Sequence, residues 1–203
     1  MKQTWLTAAI LTSLLFSAGT SAKPYRALSQ PVADAPAVVE FFSFYCTPCY
    51  SFNEQYRVVE RINQTLPAGL TVTRYHVSAM GILGRELSEA WAVATIKGVA
   101  DRIESPLFTA VQREKALNSL ADIKSVFSKI GISPEEYDSA RHSVMVKAYI
   151  ARQEQAVQDF GVSGTPSIYV KGLYHIDNAG VKPDIQEGYS AAYATLVSVL
   201  LKK

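Results

Sequence analysis

Cysteine is scarce in this 203-residue chain, which holds only Cys46 and Cys49, and histidine is limited to His76, His142 and His175. A structural zinc site needs about four ligands. With no second cysteine pair and three scattered histidines, which read as structural or surface residues, the Cys-x-x-Cys is not a zinc knuckle. Covalent haem requires His after the second cysteine, where Tyr50 stands. Charge bias is missing too: 20 Lys and Arg face 18 Asp and Glu, which points to neither nucleic acid nor a polybasic membrane patch. No apolar run approaches the roughly 18 to 20 residues that span a bilayer. The sequence therefore implies no metal and no organic cofactor.

The chain opens with Lys2, an apolar stretch from Leu6 to Phe16 and the small residues Ser17 to Ala22. That order is expected of a secretory signal peptide, residues 1–22, cleaved after Ala22. An exported protein keeps disulfides. As a brace, however, a bridge between Cys46 and Cys49 would be poorly placed. Closing a four-residue loop yields at most about 2 kcal/mol of chain-entropy stabilisation, against about 4.7 for 100 residues. The close spacing points to chemistry instead.

Ala37 to Phe44 is a nearly continuous apolar and aromatic run, the pattern of a central strand buried on both faces, and it leads into Cys46. Phe52, Tyr56, Val59, Ile62 and Leu66 then recur at helical spacing until Pro67 and Gly69, and Leu70 to Ser78 reads as a second strand. From about Met80 to Asp159 the period is helical. Ser119 precedes the stripe Ile123, Val126, Phe127 and Ile130, which Gly131 stops, and Ser133-Pro134-Glu135-Glu136 reads as a capping box. Strand character returns at Ser167–Val170 and Leu173–Ile176 across a Lys171-Gly172 turn, as a hairpin. Tyr193, Leu196, Val197 and Leu200 suit a last amphipathic helix. The expected architecture is one α/β domain (23–78 and 160–203) interrupted by an all-helical insertion (79–159).

At a strand-to-helix junction the first cysteine of a Cys-x-x-Cys lies at a helix N-terminus, where free backbone N–H groups favour a thiolate. Cys46 is the expected nucleophile. Cys49, one turn deeper, is the resolving thiol. Thr165-Pro166 opens the returning strand; from local sequence an ordinary trans proline in a loop is the simpler reading. Glu40 is an acid inside an apolar strand, either at a solvated strand end or buried near Cys49 to handle its proton.

Glu40-Phe-Phe-Ser-Phe-Tyr-Cys-Thr-Pro-Cys-Tyr50, with Tyr75-His-Val77, Ala90-Trp-Ala-Val93, Pro106-Leu-Phe108, Gly131 to Tyr137 and Gly161 to Gly172, resembles the DsbA family of bacterial periplasmic disulfide oxidases. The resemblance implies a thioredoxin fold with an inserted helical domain. It implies a monomeric, periplasmic oxidase that donates its disulfide to unfolded or newly exported cysteine-containing polypeptides and is re-oxidised by a DsbB-like, quinone-linked inner-membrane partner. By that likeness Cys46 attacks, Cys49 is buried, Pro166 is a cis-proline facing them, Glu40 matches a family acid and Arg74 is its basic partner. Two departures bear on redox tuning: the archetype has Pro-His where this chain has Thr47-Pro48, and Val where it has Thr165. The rival readings are a reductase or isomerase of the same superfamily, and a non-catalytic chaperone braced by its disulfide. Against an isomerase, the 15 or so residues between Ala22 and Ala37 are too few for a dimerisation domain.

Overall fold

Five strands, β1 (Tyr25–Ala27), β2 (Val38–Phe42), β3 (Thr73–His76), β4 (Ser167–Val170) and β5 (Tyr174–Ile176), form one mixed sheet in the order β1-β5-β4-β2-β3. The structure, a computed structural model, describes residues 23–183 and 188–203. The expected signal peptide lies outside the described residues. Among them no helix is long and apolar enough to cross a membrane.

All five residues of β2 are buried, because the strand lies between β3, to which it runs parallel, and β4, to which it runs antiparallel. Alternation along the pleat divides its side chains. Val39 and Phe41 pack with Tyr75, Phe160 and Tyr169 on one face. On the other face Val38 joins the core under α2 (Val58–Thr65) and α8 (Gly188–Leu201), and Phe42 joins Phe44, Trp91 and Phe108. Fully burying each such side chain contributes about 1.5–3 kcal/mol. Glu40 sits between Val38 and Phe42 on this second face.

Three strands are shorter than expected, β2 and β3 at both ends and β5 by its first residue, and β1 was not foreseen at all. Three residues pairing with β5 at the sheet edge carry no periodic signal. The hairpin turn is as read: Lys171 and Gly172 both have positive φ, and the Leu173 N–H donates to the Val170 carbonyl, as a type I′ turn requires. A Cβ at Gly172 would stand 2.3 Å from the Val32 carbonyl oxygen, so glycine is needed there.

The single helix expected from the cysteines to Leu66 is broken. A short helix, α1 (Thr47–Tyr50), passes into a π-helical turn (Ser51–Gln55) closed by the Tyr56 N–H on the Ser51 carbonyl. Arg57, left-handed with φ 51°, precedes α2. The i to i+5 bond adds a residue to the turn and offsets the 3.6-residue stripe. Tyr56, expected in the core, is consequently 50% exposed.

Between β3 and β4 run α3 (Gly84–Ile96), α4 (Ala100–Phe108), a second π-helical turn (Thr109–Arg113), α5 (Leu120–Ser128), α6 (Pro134–Arg141) and α7 (Val144–Asp159). Ser119 caps α5, and Ser133 with Glu136 closes the capping box of α6. This helical block also covers the free edge of β3, which would otherwise present unpaired backbone groups. The Arg74 carbonyl accepts from Trp91 Nε1 (2.9 Å) and the Tyr149 hydroxyl (2.8 Å), while the His76 N–H donates to Gln153 Oε1 (2.8 Å).

Candidate active site

β2 ends at Phe42, and four residues later Cys46 is the N-cap of α1, with extended backbone (φ −84°, ψ 107°). An N-cap side chain accepts from the N–H of the second or third helical residue. Pro48 occupies the second position and has no N–H, which leaves the third. The Cys49 N–H donates to Cys46 Sγ at 3.1 Å. The two sulfurs form a disulfide with a Cα–Cα distance of 5.2 Å.

Opposite them, Thr165–Pro166 is cis, and the Thr165 carbonyl oxygen stands 3.3 Å from Cys46 Sγ. The Thr165 hydroxyl donates to Met80 Sδ at 3.6 Å. Asn178 Nδ2 donates to the Pro166 carbonyl (2.8 Å), and the Tyr193 hydroxyl holds the Asn178 side chain in turn.

From the helix-start geometry Cys46 is expected to be the accessible sulfur of the reduced pair and Cys49 the buried one. In the disulfide form both are buried, at 3% and 1%, because the Thr165 loop closes over the Cys46 flank. The open rim of the site is Thr47 and Pro48. Beside Pro48 lies an apolar groove of about 530 Å³ lined by Phe52, Tyr56, Pro166 and Tyr189 among others.

Glu40 is 1% exposed, so the reading of a solvated strand end is wrong. Its Oε2 accepts from Arg74 Nε at 2.5 Å, across the β2–β3 register pair that places the two residues side by side. A second carboxylate, Glu104 of α4, lies 2.5 Å from Arg74 Nη1. The guanidinium also sits over the Phe42 and Trp91 rings, 4.5 and 5.3 Å from their centroids. Burial raises the Glu104 pKa, and the pull of Arg74 only partly offsets it. Sequence reading missed Glu104 because nothing local marks a glutamate in an amphipathic helix as inward-facing.

His76 is fully buried and neutral. Its Nε2 accepts from the Phe44 N–H (3.0 Å), so Nδ1 carries the proton and donates to Ser88 Oγ (2.8 Å). Desolvation pulls its pKa down to about 3. Gln112 was missed as well. Its Nε2 donates to the Phe44 carbonyl (2.7 Å), and its Oε1 accepts from the Thr47 hydroxyl (3.0 Å). Asn178 and the Tyr189–Tyr193 pair were also unforeseen, although the i, i+4 spacing of the tyrosines on an amphipathic helix was visible.

Comparison with known proteins bears on this geometry directly. A DSBA-like thioredoxin domain matches residues 37–183. The thiol:disulfide interchange protein DsbA of Salmonella typhimurium is 42% identical over 207 residues, covering the whole of both chains. The crystal structure of DsbA from Klebsiella pneumoniae superposes with a TM-score of 0.86 at 44% identity, over 90% of this chain and 97% of that one. A complex of Proteus mirabilis DsbA with the non-covalently bound peptide PWATCDS also gives a TM-score of 0.86, at 40% identity, over 91% and 98%. A disulfide at a helix start beneath a cis X-Pro loop, on a thioredoxin fold with a helical block between β3 and β4, is thus joined to full-length likeness, and the chain belongs to the DsbA-like thioredoxin-domain family of protein thiol:disulfide oxidoreductases.

Proposed function

We propose that the chain works as a disulfide donor to newly exported polypeptides in the periplasm. The observation that carries this reading is the Cys46–Cys49 disulfide at the lip of an apolar groove, with Cys46 Sγ against the Thr165 carbonyl. A substrate thiolate attacks Cys46 Sγ, the bond to Cys49 breaks, and Cys49 leaves as a thiolate that takes up a proton. A second substrate thiolate then attacks the substrate sulfur of the mixed disulfide and expels the Cys46 thiolate. Two substrate thiols become one disulfide, and the protein gains two electrons. Its Cys46 thiolate leaves well because the helix start and the Cys49 N–H stabilise it.

Glu40, buried in β2 and held by Arg74, which Glu104 holds in turn, is assigned the handling of the Cys49 proton. The groove suits an extended polypeptide with apolar side chains. Asn178 already donates to the Pro166 carbonyl, and strand-like pairing with substrate is assigned to the Thr165 backbone. The peptide bound to the Proteus mirabilis relative supports a polypeptide substrate. A DsbB-like inner-membrane oxidase that regenerates the disulfide, and a monomeric working state, complete the reading.

Refolding of reduced, denatured RNase tests it. The oxidised protein should restore RNase activity stoichiometrically, and the pair should be isolated from cells mainly oxidised. A protein that reduces insulin but leaves RNase reduced would be a reductase, and one that does neither would be a binder.

A further inference from the structure

The first turn of the active-site helix lies along the end of α4. The two segments run antiparallel and meet at three levels. Ser105 Oγ donates to Glu54 Oε2 at 2.9 Å, the Tyr50 and Phe108 rings meet edge to face at 5.9 Å between centroids, and the Thr47 hydroxyl meets Gln112 Oε1 at 3.0 Å. Both segments contain a π-helical turn here, Ser51–Gln55 and Thr109–Arg113. Gln112 leaves the second turn and spans the gap. Its amide is oriented unambiguously, since the Phe44 carbonyl at 2.7 Å only accepts, so the NH₂ faces Phe44 and the oxygen faces Thr47.

That orientation decides what the Thr47 hydroxyl does. A hydroxyl has a single proton to donate, and this one goes to Gln112. Thr47 is the residue next to Cys46, with a side-chain donor where the backbone has lost one at Pro48. A hydroxyl freed here is the side-chain donor nearest in sequence to the Cys46 thiolate. We propose that Gln112 is a positioning residue for the redox centre: it withholds the Thr47 hydroxyl from Cys46, leaving the Cys49 N–H as the hydrogen bond to that sulfur and keeping the centre less oxidising. The inserted helical block thereby sets the poise of the thiol pair without touching a sulfur. This deepens the reading above and rests on Cys46 being the attacking sulfur.

Thiolate absorbance against pH and equilibration with glutathione test it, in the reduced and redox-buffered full-length protein. Gln112→Met keeps the length of the side chain and abolishes both of its hydrogen bonds. It should lower the Cys46 pKa by about half a pH unit and displace the glutathione equilibrium about threefold toward the reduced protein. Adding Thr47→Val to Gln112→Met should cancel both changes. Thr47→Val alone, which leaves the Gln112–Phe44 bond in place, should move the pKa by less than about 0.2 of a pH unit. A residue that merely braces the fold would give the opposite sign on removal, a raised pKa, or none. The proposal is overturned if Gln112→Met leaves the pKa unchanged or raises it, if its effect survives Thr47→Val, or if Thr47→Val alone raises the pKa markedly, which would mean that the hydroxyl already serves the thiolate. Should Gln112→Met not fold, Gln112→Leu, which removes the same two hydrogen bonds, is read with and without Thr47→Val against the same outcomes. Mapping the alkylated cysteine in each variant separates failure of this inference from failure of the role of Cys46: labelling at Cys49 would overturn the latter.

Discussion

The two flanks of the active-site helix are built in opposite ways. On one side, Pro48, Phe52, Tyr56, Pro166 and Tyr189 leave an open apolar groove. On the other, α4 and the turn after it close against the helix through Glu54–Ser105, Tyr50–Phe108 and Thr47–Gln112, anchored beneath by Arg74 between Glu40 and Glu104. An open apolar surface gains by covering itself with a partner, so that flank suits substrate. A hydrogen-bonded flank holds donors in fixed directions around a sulfur whose stability depends on them, so that flank suits poise. Substrate affinity and redox potential are separable in such a site, because different side chains control them.

The largest effect belongs to the element both flanks share. Cys46→Ser should abolish RNase refolding altogether. Cys49→Ser should also lose it, but its Cys46 thiolate can attack a disulfide of an oxidised polypeptide, expelling one of its thiolates, and with no Cys49 to resolve the product it should accumulate mixed disulfides visible on non-reducing gels. Breaking the anchor of the closed flank comes next. Arg74→Met would leave Glu40 and Glu104 buried without a counter-charge, at a cost of about 3–5 kcal/mol in denaturant unfolding; Glu104→Gln should cost much less, since Arg74 keeps Glu40.

Acid should loosen the same flank through His76, which holds the Phe44 N–H. Its unfolded imidazole gains a proton near pH 6.5, while the folded one resists down to about pH 3. The unfolded state binds more protons in that window, so the His76 contribution is whole above about pH 6.5 and is lost as pH falls toward 3. Urea midpoints measured from pH 7 to 4 should drop, and less steeply in His76→Gln.

Smaller effects separate the flanks directly. Pro48→His restores a backbone donor and adds an imidazole near Cys46. A hydrogen bond to a charged group is worth about 1.5–3 kcal/mol, which for a two-electron couple corresponds to a potential higher by about 30–65 mV in glutathione buffers. Because the Thr47 hydroxyl is engaged by Gln112, it does not return that loss in the native chain. Tyr56→Ser, on the open flank, should raise the KM for peptide thiols a few-fold and leave the potential alone. Pro48 borders the groove as well, so the closed flank is read at Gln112: a potential that moved with Tyr56, or a KM that moved with Gln112→Met, would erase the distinction.

Local signals were legible where one segment carries them. The nearly continuous apolar run before Cys46 marked β2, Ser133-Pro134-Glu135-Glu136 marked a helix start, and Lys171-Gly172 marked the turn. The stripe through Tyr56 misled, because a 3.6-residue template has no place for the extra residue of a π-helical turn. Neither Gln112, 65 residues from its partner Thr47, nor Glu104 could be paired from spacing.

By itself, then, the sequence determined the chemistry. Two cysteines at a strand-to-helix junction, with no second cysteine pair and only three scattered histidines, point to thiol–disulfide exchange, and Pro48 removes a donor wherever the helix is placed. Only the tertiary structure decided the surroundings of the sulfur: which hydroxyl is occupied, which carboxylates share Arg74, which tyrosines line the groove, and that Cys46 is as covered as Cys49. Periodicity and capping act within a few residues of chain, whereas these pairings join distant segments whose approach is set by packing the helical block against the edge of β3.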